Sequence, residues 1–256
     1  MSFDAHPPRP IALSAGRLAQ KTWRAPSDLN FVRSLTDVQI GANEAARVGR
    51  SYGWYFKRED AGWALVVALT DEVQAQMCGF EREEAALGLP FLLRLYPFTF
   101  VREKGRLCLA VWDNMVGDQG QGRSFFEGAK VTVPVAKVSA YFKSFGADLG
   151  LAARLTGDLQ AAGVLKPAGQ SKFRYYEIDE PKLMSLSEQA IVKLHKSGAL
   201  GLAYAQLFSL HSKAVAKSQG AQAARPETFV QSDGFLSSIA RDLEADVPAL
   251  EVDFES

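Results

Sequence analysis

The sequence predicts an α+β fold, with an antiparallel sheet in the N-terminal half packed against C-terminal helices. Three observations lead there. Before residue 113, short runs of aromatic and β-branched residues are separated by turn residues, the pattern of paired strands. Between Thr132 and Gly163, apolar residues recur every three or four positions, the period of an amphipathic helix. Hydrophobic residues make up 47% of the 256, and 16 Phe and 4 Trp supply enough buried area for a real core.

The elements follow in order. Residues 1–27 carry prolines at positions 7, 8 and 10, which resist helix, so an extended N-terminal arm is expected. The Ala-rich stretch Ala42–Arg50 reads as a helix. Trp54–Phe56 and Ala64–Leu69 read as paired strands joined through Glu59–Gly62. Asp71–Leu87 is polar on one side and helical in part. Phe91–Phe100 (FLLRLYPFTF) is densely apolar, but Pro97 donates no ladder bond, so a strand there lies at an edge or breaks. Arg106–Trp112 is a strand candidate, and Asp113–Gly122 reads as an exposed loop.

Thr132 and Pro134 suit a helix start, and Gly163 with Pro167 a stop. Between them Val135, Val138, Phe142, Phe145, Leu149, Ala152, Leu155, Leu159 and Ala162 form one face, expected to pack against the sheet. Phe173–Ile178 is a short strand. Ser185 and Glu188 have capping-box spacing before a helix running to Lys196. Gly198 interrupts, and a last helix covers Ala199–Lys217. The chain thus divides into an arm (1–27), a domain (28–218) and an acidic C-terminal tail (219–256). In the tail, Phe235, Leu236, Ile239, Ala240 and Leu243 fall at helical spacing, ahead of Glu244, Asp246, Glu251, Asp253 and Glu255. It reads as a loosely docked terminus, a partner-binding segment or a C-terminal export signal, and the fold is expected not to need it.

Acidic and basic residues balance at 29 each, so a phosphate-driven nucleic-acid binder is not expected. The opening MSFDAHPPRP lacks a basic region followed by an apolar one, and no apolar run spans a bilayer. A cytoplasmic protein is expected, with export through a C-terminal signal as the alternative. Cys78 and Cys108 sit among apolar neighbours and read as buried reduced thiols, with a disulfide as the minor reading. His6, His195 and His211 have no zinc-motif spacing, so neither metal nor cofactor is expected, and His195 reads as a helix C-terminal residue. Asp113, Asn114 and Asp118 with the glycines at 117, 120 and 122 match a calcium loop in composition only. Phosphate-loop, nucleophile-elbow and dinucleotide fingerprints do not occur.

Several stretches, taken in order, resemble the SapC family. They are Asn43-Glu44-Ala45-Ala46 through Tyr52; Arg94-Leu95-Tyr96-Pro97-Phe98, close to the family's Arg-Arg-Tyr-Pro-Phe; and Gly122-Arg123-Ser124-Phe125-Phe126-Glu127-Gly128 after the strand ending at Asp113. Further on come Leu159–Leu165, then Tyr176–Leu183, Leu186-Ser187, Leu194–Leu200 and Tyr204–Leu210. The resemblance spans about residues 28 to 217. Leu95 replaces the family's second Arg, and Gly53 stands where the family tends to carry Pro.

The resemblance implies a bacterial protein associated with surface-layer loci that also encode type I export machinery. Other relatives lie beside outer-membrane receptor and flavin-dependent halogenase genes. It transfers no catalytic residue. The expected function is a non-enzymatic accessory or partner-binding protein linked to the cell surface or its export, with a protein or peptide partner. The alternative is an enzyme, or an enzyme's partner, that modifies a peptide or small molecule. Arg94, Tyr96, Phe98, Asp113, Arg123 and Phe126 are the candidate binding residues. The competing reading packs Tyr96 and Phe98 in the core and pairs Arg94 with an acid. A deep pocket joining Arg94, Asp113 and a histidine would favour the enzyme, and a flat aromatic patch the partner binder.

Overall fold

The chain opens with β1 (Pro10–Ala12), the short helix α1 (Ala15–Leu18) and β2 (Lys21–Trp23). A 3-10 turn (Asn30–Ser34) leads into β3 (Asp37–Ile40), α2 (Ala42–Gly49), and the hairpin of β4 (Tyr55–Glu59) and β5 (Gly62–Ala68). Next come α3 (Asp71–Cys78), α4 (Phe91–Arg94), β6 (Phe98–Glu103) and β7 (Arg106–Trp112). A 3-10 turn (Asp113–Met115) precedes β8 (Val116–Asp118), β9 (Arg123–Ser124), β10 (Phe126–Glu127) and β11 (Lys130–Val131). The C-terminal half holds α5 (Val133–Ala161), β12 (Leu165–Pro167), β13 (Tyr175–Ile178), α6 (Glu180–Met184), α7 (Glu188–Ser197) and α8 (Ala199–Ser218). The computed structural model describes residues 8–26, 28–60, 62–79, 88–103, 106–169 and 175–218, with the backbone alone at Arg102, Leu107 and 212–218. His6, Ala61, residues 80–87 and 173–174, and the tail 219–256 lie outside them.

Every strand pair is antiparallel, and helices cover the larger sheet, so the α+β expectation is borne out. That sheet has the order β12-β13-β4-β5-β3, so two of its strands come from the C-terminal half. Alternation organises it. Trp63, Leu65 and Val67 of β5 join the main core under α2, α5, α7 and α8, while Ala64, Val66 and Ala68 meet Tyr55 and Tyr175 on the other face. A second core, around Trp23, Phe98, Val111 and Phe125, fills the space between the β1-β7-β6 sheet and the first half of α5.

α5 therefore serves two cores. Val135 and Phe142 belong to the second, and Ala152, Leu155 and Leu159 to the main one. Leu149 lies at the changeover and is only half-buried, contrary to the single continuous face expected. A straight helix that passes from one core to another cannot bury every residue of its stripe.

Other details depart from the sequence reading. The N-terminal segment is extended apart from the one-turn helix α1, yet β1 pairs with β7 and β2 with β8 and β9, and Leu18 and Trp23 are core residues. The run Phe91–Phe100 is half helical turn. Its strand starts only at Phe98, after the cis Tyr96–Pro97 bond, and lies at a sheet edge. The Asp113–Gly122 loop carries β8 and is exposed at Asn114 and from Asp118 to Gly122, the rest being half-buried. Cys78 and Cys108 are free and half-buried rather than buried. Ser187, not Ser185, caps α7: its hydroxyl accepts from the Ala190 amide at 3.4 Å, while Ser185 donates to the Lys182 carbonyl. Gly198 ends α7 in the left-handed region (φ 87°), a conformation open to glycine without a Cβ penalty.

Candidate functional site

The site is assembled where α2, α4 and α5 meet, at the seam between the two cores. Glu44, in the first turn of α2 and 9% exposed, is its anchor. One carboxylate oxygen accepts from the Gly41 amide at 3.2 Å. The other accepts from the Phe91 amide at 2.9 Å and from Arg47 Nη2 at 2.9 Å. Arg47 also donates from both terminal nitrogens to the Leu89 carbonyl, at 3.2 and 3.1 Å. Glu44 and Arg47 thus tie the start of α2 to the start of α4, a helix of one turn that could not hold itself. Asp148 of α5 completes the junction by accepting from the Asn43 amide at 3.0 Å, a carboxylate at a helix N-terminus.

α4 then delivers Arg94. Its guanidinium lies over the Phe91 ring at 5.7 Å. That ring is stacked on Phe145 at 4.8 Å and meets Tyr141 and Phe142 edge-on. Among the described residues no hydrogen bond reaches the Arg94 guanidinium, and its Nε is buried without an acceptor. Burial raises the pKa of Glu44, against the Phe91 and Gly41 amides and the charges of Arg47 and Arg94. Burial, and then Arg47, lower that of Arg94, against Glu44 and Tyr141.

The other candidates occupy two further settings. Tyr96, 5% exposed, stacks on Phe31 at 3.6 Å and donates to Asn114 Oδ1 at 3.2 Å. Burial pushes its phenol up, the Asn114 bond opposes, and the Asp113 charge adds to the rise. Asp113 accepts from the Arg9 amide at 2.9 Å through its carboxylate, and its own amide donates to the Arg9 carbonyl, which extends the β1–β7 pairing. Phe98, 2% exposed, meets Trp23 edge-on at 4.9 Å and Phe125 at 6.4 Å. Arg123 is exposed and lies over the Trp23 ring at 5.5 Å, and Phe126 is half-buried against the same core. Phe98, Arg123 and Phe126 therefore share one aromatic cluster, Tyr96 is near Asp113, and Arg94 stands on the rim of that core through Phe91. Among the described residues no histidine is a partner of these side chains. His195 is in the last turn of α7, and His211 Nδ1 lies 2.9 Å from the Leu207 carbonyl.

Glu44 and Arg47 were not singled out from the sequence, although Glu44 lies in a family-like stretch and their i,i+3 spacing was a legible sign. A second polar group was also missed. Asp37 Oδ2 accepts from Tyr175 at 2.9 Å and from Lys57 Nζ at 2.8 Å. Burial and the Asp37 charge hold the Tyr175 phenol far above its ordinary range. Tyr175 also lines an open groove of about 400 Å³, together with Arg33, Thr36, Thr70 and Gln74. Among the described residues no group of three or more His, Cys, Asp or Glu could hold a metal, and no helix is long and apolar enough to cross a membrane.

Fold and site together define an α+β protein with a charge cluster set in the seam between two aromatic-rich cores. The SapC family model matches residues 13–214, and the chain belongs to the SapC family. The match starts within the segment read as an arm, in keeping with the strands found there. No curated protein and no solved structure matches the chain.

Proposed function

We propose that this protein is a non-enzymatic, partner-binding accessory member of the SapC family, acting in the cytoplasm on behalf of the cell surface or its export, with Arg94 as its recognition group. One observation carries the proposal: a largely buried guanidinium held over an aromatic ring with no hydrogen bond to any described residue. A guanidinium stays protonated at physiological pH, so it is poorly suited to proton transfer and well suited to gripping an anionic group. Tyr96, Phe98 and Asp113 stabilise the neighbouring second core and β1–β7 edge, and Arg123 and Phe126 form a separate, more exposed part of the family-like surface. A protein or peptide is the expected partner.

The test places a photo-cross-linker at Ser144, which is exposed and one turn beyond Tyr141 on α5, in the cells that make the protein. A specific cross-linked species is expected, lost in Arg94→Ala while the thermal melt is retained. A cross-link indifferent to Arg94 overturns the proposal. The alternative, an enzyme or enzyme partner acting on a peptide or small molecule, draws support from the Asp37–Lys57–Tyr175 group at the groove.

A further inference from the structure

Charge at the seam narrows what Arg94 can bind. Glu44 and Arg47 form a direct ion pair at 2.9 Å and Asp148 accepts from the Asn43 amide, so of these four charged side chains Arg94 is the one with no hydrogen bond or ion pair to a described residue. One positive charge matches a monoanion. A dianion would bring a second negative charge next to Glu44, whose own charge is already paired with Arg47.

Geometry points the same way. Nε is buried without an acceptor, Arg94 as a whole is half-buried, and no hydrogen bond to a described residue occupies its two Nη groups. Their end-on fork fits the two oxygens of a carboxylate. Beside it Phe91 and Tyr141 are each half-buried, so an apolar group attached to the anion would rest on rings already partly dry.

Resting on the reading of Arg94 as the recognition group, we infer that the site takes a carboxylate borne next to an aromatic or apolar side chain. Such a group is supplied by a small aromatic acid or by the free C-terminus of a peptide. Glu44 and Arg47 act as positioning residues that hold α4, and with it the fork, in place.

The experiment follows the Arg94 guanidinium resonances of the wild-type protein by NMR. The titrants are N-acetylphenylalanine, N-acetylphenylalaninamide, acetate, inorganic phosphate, and a short peptide ending in Phe with its C-terminus free or amidated. A saturable shift is expected with N-acetylphenylalanine, weaker by about tenfold or more with acetate, phosphate and both amides. Tighter binding of the free-ended peptide assigns a peptide source, and equal binding a small acid; either supports the class. Arg94→Lys keeps the charge but loses the fork, and is expected to bind at least about tenfold more weakly, read for both proteins from the Phe91 and Tyr141 ring resonances. Phosphate or the amides binding as well as the carboxylate overturns the inference and leaves Arg94 as a recognition group. So does an Arg94-dependent cross-link in a protein that responds to no carboxylate. If the Arg94 resonances shift with none of the titrants and the cross-link does not depend on Arg94, both readings fall.

Discussion

Leu159→Ala is expected to be among the most destabilising single changes in α5, and Leu149→Ala a mild one. Leu159 has no exposed surface and lies in the main core, whereas Leu149 is half-buried at the changeover between cores. Truncating Leu to Ala removes three carbons, worth about 2.5 kcal/mol in transfer free energy at ~0.8 per carbon. α5 is held against the sheet along its length, so the gap cannot fully collapse. A residual cavity of up to about 80 Å³ then adds up to about 2 kcal/mol. The total for Leu159 is about 2.5–4.5 kcal/mol, against less than about 2 for Leu149. Urea unfolding followed by circular dichroism measures both. With a slope of about 2–3 kcal/mol/M, the midpoint should fall by about 1–2 M for Leu159→Ala. Equal shifts for the two variants, or no shift for Leu159→Ala, would refute the division of α5 between two cores.

Gly41 has an ordinary φ of −84°, so its requirement is space: a Cβ there would meet the Asp148 carboxylate. Gly41→Ala should cost about 1–3 kcal/mol, and a double-mutant cycle with Asp148→Ala should show the two effects to be less than additive, full additivity counting against the contact. Burial pushes the Tyr52 phenol up to about 12. The folded chain then keeps a proton that the unfolded chain releases near its ordinary value. Stability is fully present below about pH 10 and falls by up to roughly 2–3 kcal/mol as pH climbs to about 12. Tyr52→Phe should flatten that decline in unfolding midpoints measured at about pH 9 and about pH 11, and identical slopes would reject the assignment. Ser187→Ala should cost about 1 kcal/mol and Ser185→Ala less, and a thermal-melt ranking in the opposite order would return the cap to Ser185.

Local pattern carried much of the architecture. The apolar period of Val135–Leu159 marked α5, and β7 coincides with the strand read from RLCLAVW. The β4–β5 hairpin followed from alternation around a short turn. These features depend on neighbours within a few residues, where side-chain period and turn chemistry act directly. Arg94 was singled out too, within a motif whose order along the chain is itself a sequence property.

Tertiary structure decided the rest. Nothing near Pro10 or Lys21 announces that β1 pairs with β7 or β2 with β8, because those partners lie about a hundred residues away and contact is chosen by the energy of the whole chain. The period of α5 could not reveal that its stripe passes from one core to a second, which leaves Leu149 half-buried. Nor could Glu44 be joined to the Phe91 amide, 47 positions on, before the helices were packed. Sequence determined which residues were suited to helix, strand and charge. Packing alone determined that Glu44 and Arg47 tie α2 to α4 while Arg94 is left over an aromatic ring, since hydrogen bonds and ion pairs act over a few ångströms in space, whatever the separation along the chain.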